Sequence, residues 1–261
     1  MFRRLSPLEK EWNKLQKQEA VWLEKRINSK ESAVNQLLSG RVPANLQSTL
    51  DKTFSKAFYY IFEKGTGIIE KTYNRSKIEE DFLINDYTAQ VKNSRKSLKA
   101  ISKSAASSGS ANLLLSGVSG IGLGILGVGM PDIVLFTSLV LKSIYQIALN
   151  YGYSYESDTE RQFILMLIET AVSHGKKLEE LDRIIDDFII KDIFDSIDID
   201  RHITAAAGGL SKELLYMKFI QSIPLVGAVG GSYNLVYMKR ITKYAELKYR
   251  RRFYTDKMLD R

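Results

Sequence analysis

The sequence contains no cysteine and only two histidines, His174 and His202, among its 261 residues. Without thiols there are no disulfides, no thiolate nucleophile, no Cys-ligated zinc and no iron–sulfur cluster. Two imidazoles cannot build a His-rich metal centre, and no GK[ST] triplet follows a glycine-rich loop, so no phosphate-binding P-loop is present. Proline is scarce, at four residues. No segment alternates apolar and polar residues between turn signals, so strands are not expected and the fold class is read as all-α. Met1-Phe2-Arg3-Arg4-Leu5 runs into charged, helix-forming sequence and not into an apolar leader with a small-residue cleavage site, so a cytoplasmic location is expected. Hydrophobic residues make up 44% of the chain, which excludes wholesale disorder. The length allows one large domain or two small ones, and one is favoured.

Charge is unevenly distributed. The net charge is +8, but residues 1–103 carry 20 basic and 12 acidic groups, and residues 104–178 are close to neutral. Residues 179–200 hold two basic groups against nine acidic, and residues 201–261 hold twelve against four. Two basic ends thus flank an apolar middle and one acidic segment. A basic excess of this kind suits nucleic acid or an anionic membrane surface.

The helical reading begins at Ser6-Pro7-Leu8-Glu9, which combines an N-cap Ser, Pro at the first helical position and Glu at the third. Leu8, Trp12, Leu15, Trp22, Leu23 and Ile27 then form one stripe. It could enter a membrane interface or pack on its own domain, and the second is favoured. Leu46, Leu50, Phe54, Ala57, Phe58, Ile61 and Phe62 continue helical spacing to a stop at Gly65. Ile78, Phe82, Tyr87, Val91, Leu98 and Ile101 read as the single stripe of a longer helix. Its end, Lys92 to Lys103, has five basic groups and no acid, including Lys96 and Lys99.

Residues 104–131 hold no formal charge and seven glycines. Leu113–Met130 is about long enough to cross a bilayer, and Ser116, Gly120 and Gly124 have the four-residue spacing of a close helix–helix contact. Pro131-Asp132 restarts a helix that stays apolar to Leu149, and Asn150-Tyr151-Gly152 looks like its C-terminal cap. A helix from Asp158 to His174 is expected to end at Gly175, with His174 meeting the negative end of the helix dipole. An acidic helix follows, striped by Leu178, Ile185, Phe188 and Ile189. Ala205–Leu210 reads as a small, flexible stretch. Phe219–Met238 is again free of charge over 20 residues and contains Pro224 and Gly227. The expected architecture is a single helical domain, with basic amphipathic helices in 1–103. In 104–261, two Gly/Pro-interrupted apolar hairpins (113–149 and 219–238) pack in the middle of the bundle.

Several motifs fail on context. Gly122-Leu-Gly124-Ile-Leu-Gly127 fits a dinucleotide fingerprint, but no strand precedes it and no acid lies about 20 residues downstream. Gly117-Val-Ser119-Gly120 is not the nucleophile elbow of a hydrolase. Asp195, Asp198, Asp200 and His202 resemble a hard-metal set, yet lack the glycine turn and closing Glu of a calcium loop, and read as solvent-facing acids. No metal and no cofactor is therefore expected. Lys239, Arg240, Lys243, Lys248, Arg250, Arg251, Arg252 and Lys257 interleave with Tyr237, Tyr244, Tyr249, Phe253 and Tyr254. Such a run could stack nucleic-acid bases, but beside 20 uncharged residues it better fits anionic headgroups, with Tyr at headgroup depth.

Ordered blocks along the chain resemble the EcsC family. They are Gly129-Met-Pro-Asp-Ile133, Lys142-Ser-Ile-Tyr145-Gln-Ile-Ala148, Tyr151-Gly-Tyr153 and Glu160-Arg-Gln-Phe163-Ile-Leu165. Further on come Ile223-Pro-Leu-Val-Gly-Ala228, Asn234, Tyr237, Thr242 and Tyr249-Arg-Arg-Arg-Phe253. The resemblance implies a bacterial setting beside the ATPase and membrane subunits of an ABC transporter, which become conceivable partners. It implies no catalytic residues.

The favoured reading is a non-enzymatic protein, peripheral on the cytoplasmic membrane face, that binds lipid or another amphiphile. Lys96, Lys99, Lys239, Arg240, Lys243, Arg250, Arg251 and Arg252 would hold anionic headgroups, and Gly120, Gly124, Pro131, Pro224 and Gly227 would shape the apolar hairpins. The alternatives are an enzyme on a lipidic substrate, with Asp132, Glu160 and Arg240 as polar groups in an apolar cavity, and a cytoplasmic adaptor of an ABC transporter. Calorimetry with Mg²⁺, Mn²⁺, Ca²⁺ and Zn²⁺ is expected to show no site tighter than about millimolar, roughly 4 kcal/mol. A micromolar site lost in Asp198→Asn, Asp200→Asn would contradict the metal-free reading.

Overall fold

The computed structural model describes residues 4–28, 44–108, 130–192, 194, 196–221 and 233–259, with side chains at all of these except 44, 130–132, 216–221 and 233–235. Among the described residues there are helices and no strands, so the fold is all-α. Helix α1 (Pro7–Ile27) starts as its sequence requires. The Ser6 hydroxyl accepts from the Glu9 N–H at 3.1 Å, and the Glu9 carboxylate accepts from the Ser6 N–H at 2.6 Å. Its stripe packs inward on its own molecule, with Leu15 and Trp22 buried.

Helix α2 (Ala44–Tyr60) does not stop at Gly65 as expected. It widens into a π turn at Ile61–Gly65 and resumes as α3 (Thr66–Glu70). The Thr66 hydroxyl donates to the Ile61 carbonyl at 3.0 Å, satisfying an acceptor that the wider turn loosens. Helix α4 (Arg75–Lys92) is capped by Asn74 and ended by Asn93 in the left-handed region at φ 38°. After Ser94 the chain turns into α5 (residues 95–108).

Helix α6 (Met130–Asn150) contains the charge-poor run Ile133–Asn150, which is long and apolar enough to cross a membrane. In the structure 67% of that run is buried against protein. Gly120, Gly124, Pro224 and Gly227 lie outside the described residues. Pro131 and Asp132 begin α6, and their side chains are likewise outside the description. Helix α7 (Asp158–Ala171) is buried along almost its whole length, and α8 (Gly175–Lys191) carries the acidic segment. His174 does not end α7 but stands in extended conformation at the N-cap of α8.

Helix α9 (Ile199–Gln221) includes Ala205–Leu210, which is regular helix and not a flexible stretch. Its small residues serve close packing: a Cβ at Gly209 would come within 2.6 Å of the Val172 side chain. Helix α10 (Tyr233–Leu259) packs against α1, α6, α7 and α8, while α9 packs on α2 and α7. One continuous core joins residues from α1 to α10, and the helices before residue 104 share it with those after.

The expected cap of α6 is present in full. Gly152 has φ +84°, its N–H donates to Leu149 O at 3.0 Å, and the Tyr153 N–H donates to Ala148 O at 3.0 Å. A Cβ at Gly152 would lie 2.4 Å from the Phe82 ring of α4. Gly152→Ala therefore combines left-handed backbone strain with overpacking, and should lower stability by about 2–3 kcal/mol. Urea unfolding of the two proteins would measure it; coincident transitions would refute the packing argument.

Candidate functional site

The basic C-terminal helix was expected on the surface, and the structure turns most of it inward. Lys248 on α10 is 1% exposed and donates to Asp182 at 2.8 Å and Asp186 at 2.6 Å on α8. Arg251 forms a two-pronged pair with Glu19 of α1, at 2.9 and 2.7 Å, and lies 3.3 Å from Asp186. Arg252 reaches Glu160 of α7 at 2.7 Å and Asp192 at 3.0 Å, with its guanidinium over the rings of Tyr153, Phe163 and Phe188. Arg250 donates to Gln18 and pairs with Glu246. The headgroup role expected for Arg250, Arg251 and Arg252 thus meets side chains already engaged with protein partners, because an unpaired charge in this interior would be too costly to hold.

The tyrosines interleaved with these charges also point inward. Tyr244 donates to Asp182 at 2.6 Å and stacks on Trp22, and Tyr249 donates to Glu160 at 2.5 Å. Burial, followed by the charge and hydrogen bond of the carboxylate each one serves, holds both phenols well above their usual range. For Arg252, burial works against the charged form, but the Glu160 carboxylate outweighs it and the guanidinium is held more firmly protonated than usual.

The polar cavity expected from Asp132, Glu160 and Arg240 is not assembled from the two members whose side chains are described. Glu160 belongs to the Arg252–Tyr249 cluster, whereas Arg240 lies 3.5 Å from Glu213 of α9. Twelve residues separate Arg240 from Arg252 on one helix, about 18 Å along its axis. Glu213 is in turn 3.0 Å from His174 Nε2, and Arg240 covers the Tyr237 ring. Burial pushes the Glu213 carboxyl up, but hydrogen bonds from His174 and Tyr237 and the charges of His174 and Arg240 hold it below the usual range. Sequence reading missed this cluster; its one signal was a lone acid in the apolar face of α9. The supposed hard-metal set is also otherwise engaged. Asp198 caps α9 through the Arg201 N–H, Asp200 accepts from Tyr59 at 2.8 Å, and Asp195 lies outside the described residues.

Part of the basic set named from the sequence does stay on the surface, among it Lys96, Lys99, Lys239 and Lys243. Lys92, Arg95, Lys96, Lys99 and Lys103 are exposed at the α4–α5 junction, and Lys239 and Lys243 are exposed on α10. Glu11 takes Arg95 at 2.6 Å and Lys99 at 3.9 Å, while Lys96 and Lys103 project from the face of α5 opposite its buried Leu98, Ile101 and Ala105. Beside them, α4 exposes Leu83 (65%), Ile84 (65%), Tyr87 (70%) and Val91 (65%). The stripe read from sequence was therefore two faces: Phe82 and Ala89 turn to the core, while Tyr87 and Val91 turn to solvent.

Helix α8 lies across the central helix from α4. Helix α10 meets α8 through Tyr244 and Lys248, but meets α4 through Phe253 against Phe82 and Lys257 against Asp86 at 2.8 Å. At 100° per residue these two sets fall on opposite sides of α10. Glu179, Glu180 and Asp187 are exposed on α8 together with Lys176, Lys177, Arg183 and Lys191, so the outer face of that helix is of mixed charge.

The sequence model of the EcsC protein family matches residues 9–253, in line with the resemblance read from the blocks above. No curated protein and no solved structure matches.

Removing one partner of a buried pair leaves the other charge stranded. Glu160→Met should lower stability by about 3 kcal/mol, whereas the double change Glu160→Met, Arg252→Met should lie closer to wild type than either single change. Denaturant curves for the four proteins test this, and additive losses would show that the pair is not coupled.

Proposed function

The chain belongs to the EcsC protein family, and from that premise we propose that it is a non-enzymatic helical protein that associates peripherally with the anionic surface of a membrane, at its cytoplasmic face. The observation that carries this reading is the exposed lysine row Lys92, Lys96, Lys99 and Lys103, set beside the exposed apolar residues of α4. With the C-terminal arginines neutralised inside, this row is a dense run of exposed basic side chains without an intervening acid. Each lysine near an anionic leaflet contributes about 1 kcal/mol. The apolar helix α6 does not enter the argument, because most of it is already buried in protein. Glu160 and Arg240 stand in separate, internally paired clusters, so the reading of an enzyme acting on a lipidic substrate has no observation in its favour.

Flotation with liposomes tests the proposal. At low salt the protein should rise with vesicles containing phosphatidylglycerol and stay behind with purely zwitterionic ones. The attraction should weaken as salt shortens the Debye length below about 8 Å. Lys92→Glu, Lys96→Glu, Lys103→Glu should reduce the bound fraction at least tenfold at low salt, with an unchanged thermal melt. Binding that ignores lipid charge, salt and the triple substitution would sink the proposal.

A further inference from the structure

Helix α4 has an apolar face too many. Its core side, with Ile78, Phe82 and Ala89, packs on α6 and on Phe253 of α10. Its outward side carries Leu83, Ile84, Tyr87 and Val91, which are three-fifths or more exposed and lie on the face opposite the core side. Four large apolar side chains held together in water are the kind of surface a protein keeps for a partner. The helix is already formed and fixed: Asn74 caps its start, Arg75 pairs with Glu79 at 2.8 Å, and Lys257 holds Asp86. No ordering of this segment has to accompany binding.

The charges around the stripe indicate its occupant. At the α4 C-terminus Lys92 is followed by the left-handed Asn93, and the chain turns directly into α5 with its outward Lys96, Lys99 and Lys103. Apolar side chains are therefore continuous with a lysine row, the arrangement of a helix that lies in a membrane interface. The N-terminal half of α4 is acidic, with Glu80 and Asp81 exposed, so the C-terminal half approaches anionic lipid more closely.

Resting on the membrane reading above, we infer that the outward face of α4 inserts into the interface of an anionic bilayer. Tyr87 and Val91 lie deepest and Leu83 shallower, while the α5 lysines sit among the lipid phosphates. The insertion depth is that of interfacial helices, about 5–10 Å.

The absence of cysteine allows single thiols to be placed at will. Leu83→Cys, Tyr87→Cys, Val91→Cys and, on the opposite flank, Glu180→Cys would each carry an environment-sensitive fluorophore on the full chain. Vesicles of phosphatidylcholine and phosphatidylglycerol, with and without spin-labelled acyl chains, supply the readout. Blue-shifted, quenched emission is expected at 87 and 91, less at 83 and none at 180. Tyr87→Ser, Val91→Ser should still float at low salt but lose at least fivefold of the fraction that resists high salt. If wild type floats while labels at 83, 87 and 91 stay in water, insertion is overturned and surface association stands. If wild type does not float at all, the membrane reading itself fails and the inference with it. Labels shielded without vesicles, together with a doubled mass in light scattering, would make the face a contact between copies and overturn insertion.

Discussion

A helix carrying Arg240, Lys248, Arg250 and Arg252 runs through the interior, and the surrounding helices are arranged around the need to neutralise it. Buried cations are tolerated only with carboxylates and hydrogen bonds at close range, and four of the surrounding helices supply the carboxylates. Glu19 comes from α1, Glu160 from α7, Asp182 and Asp186 from α8, and Glu213 from α9. The aromatic side chains complete the environment: guanidinium planes lie on rings, and phenols donate to the same carboxylates that take the cations. Apolar packing alone leaves helices free to slide or rotate, whereas a pair such as Arg251 with Glu19 fixes both the rotation and the height of α1 against α10.

Some of this was legible in the sequence. The capping box at Ser6 and Glu9, the core stripe of α1, the cap at Gly152 and the absence of strands are local signals, and local geometry honours them. The burial of the arginine run was not legible, because composition records how much charge a segment holds and not which way it points. A signal did exist in the opposite charges of residues 179–200 and 239–261, which are two halves of one buried network. Reading them as a pair requires knowing that α8 lies against α10, a contact between segments some 60 residues apart. The α4 stripe failed differently. Ile78, Phe82, Tyr87 and Val91 share helical spacing closely enough to merge in a sequence read, but three turns of drift separate the core side from the solvent side. The glycine at 65 was read as a stop, yet a π turn lets the helix continue with a shifted face.

The same internal pairing sets the character of the surface. Counting lysines and arginines suggests two basic ends, but the C-terminal one is largely consumed in the core. The exposed basic side chains from Lys92 to Lys103 consequently stand with no acid among them, whereas the exposed charges of α8 are mixed in sign. A modest net charge can then coexist with a local basic patch, which affects how the molecule meets a charged plane more than how tightly its own helices pack.

Arg251 and Glu19 meet across 232 residues of chain. Helix α10 follows every helix it touches, so during synthesis the acids of α1, α7 and α8 emerge before the cations that neutralise them. Until α10 is in place, those carboxylates lack the cations that pair with them in the folded molecule. Loop closure over such a span is slow, and topologies rich in distant contacts fold late. A chain stalled short of α10 would present to its surroundings a negatively charged, half-apolar trough that the finished molecule never shows.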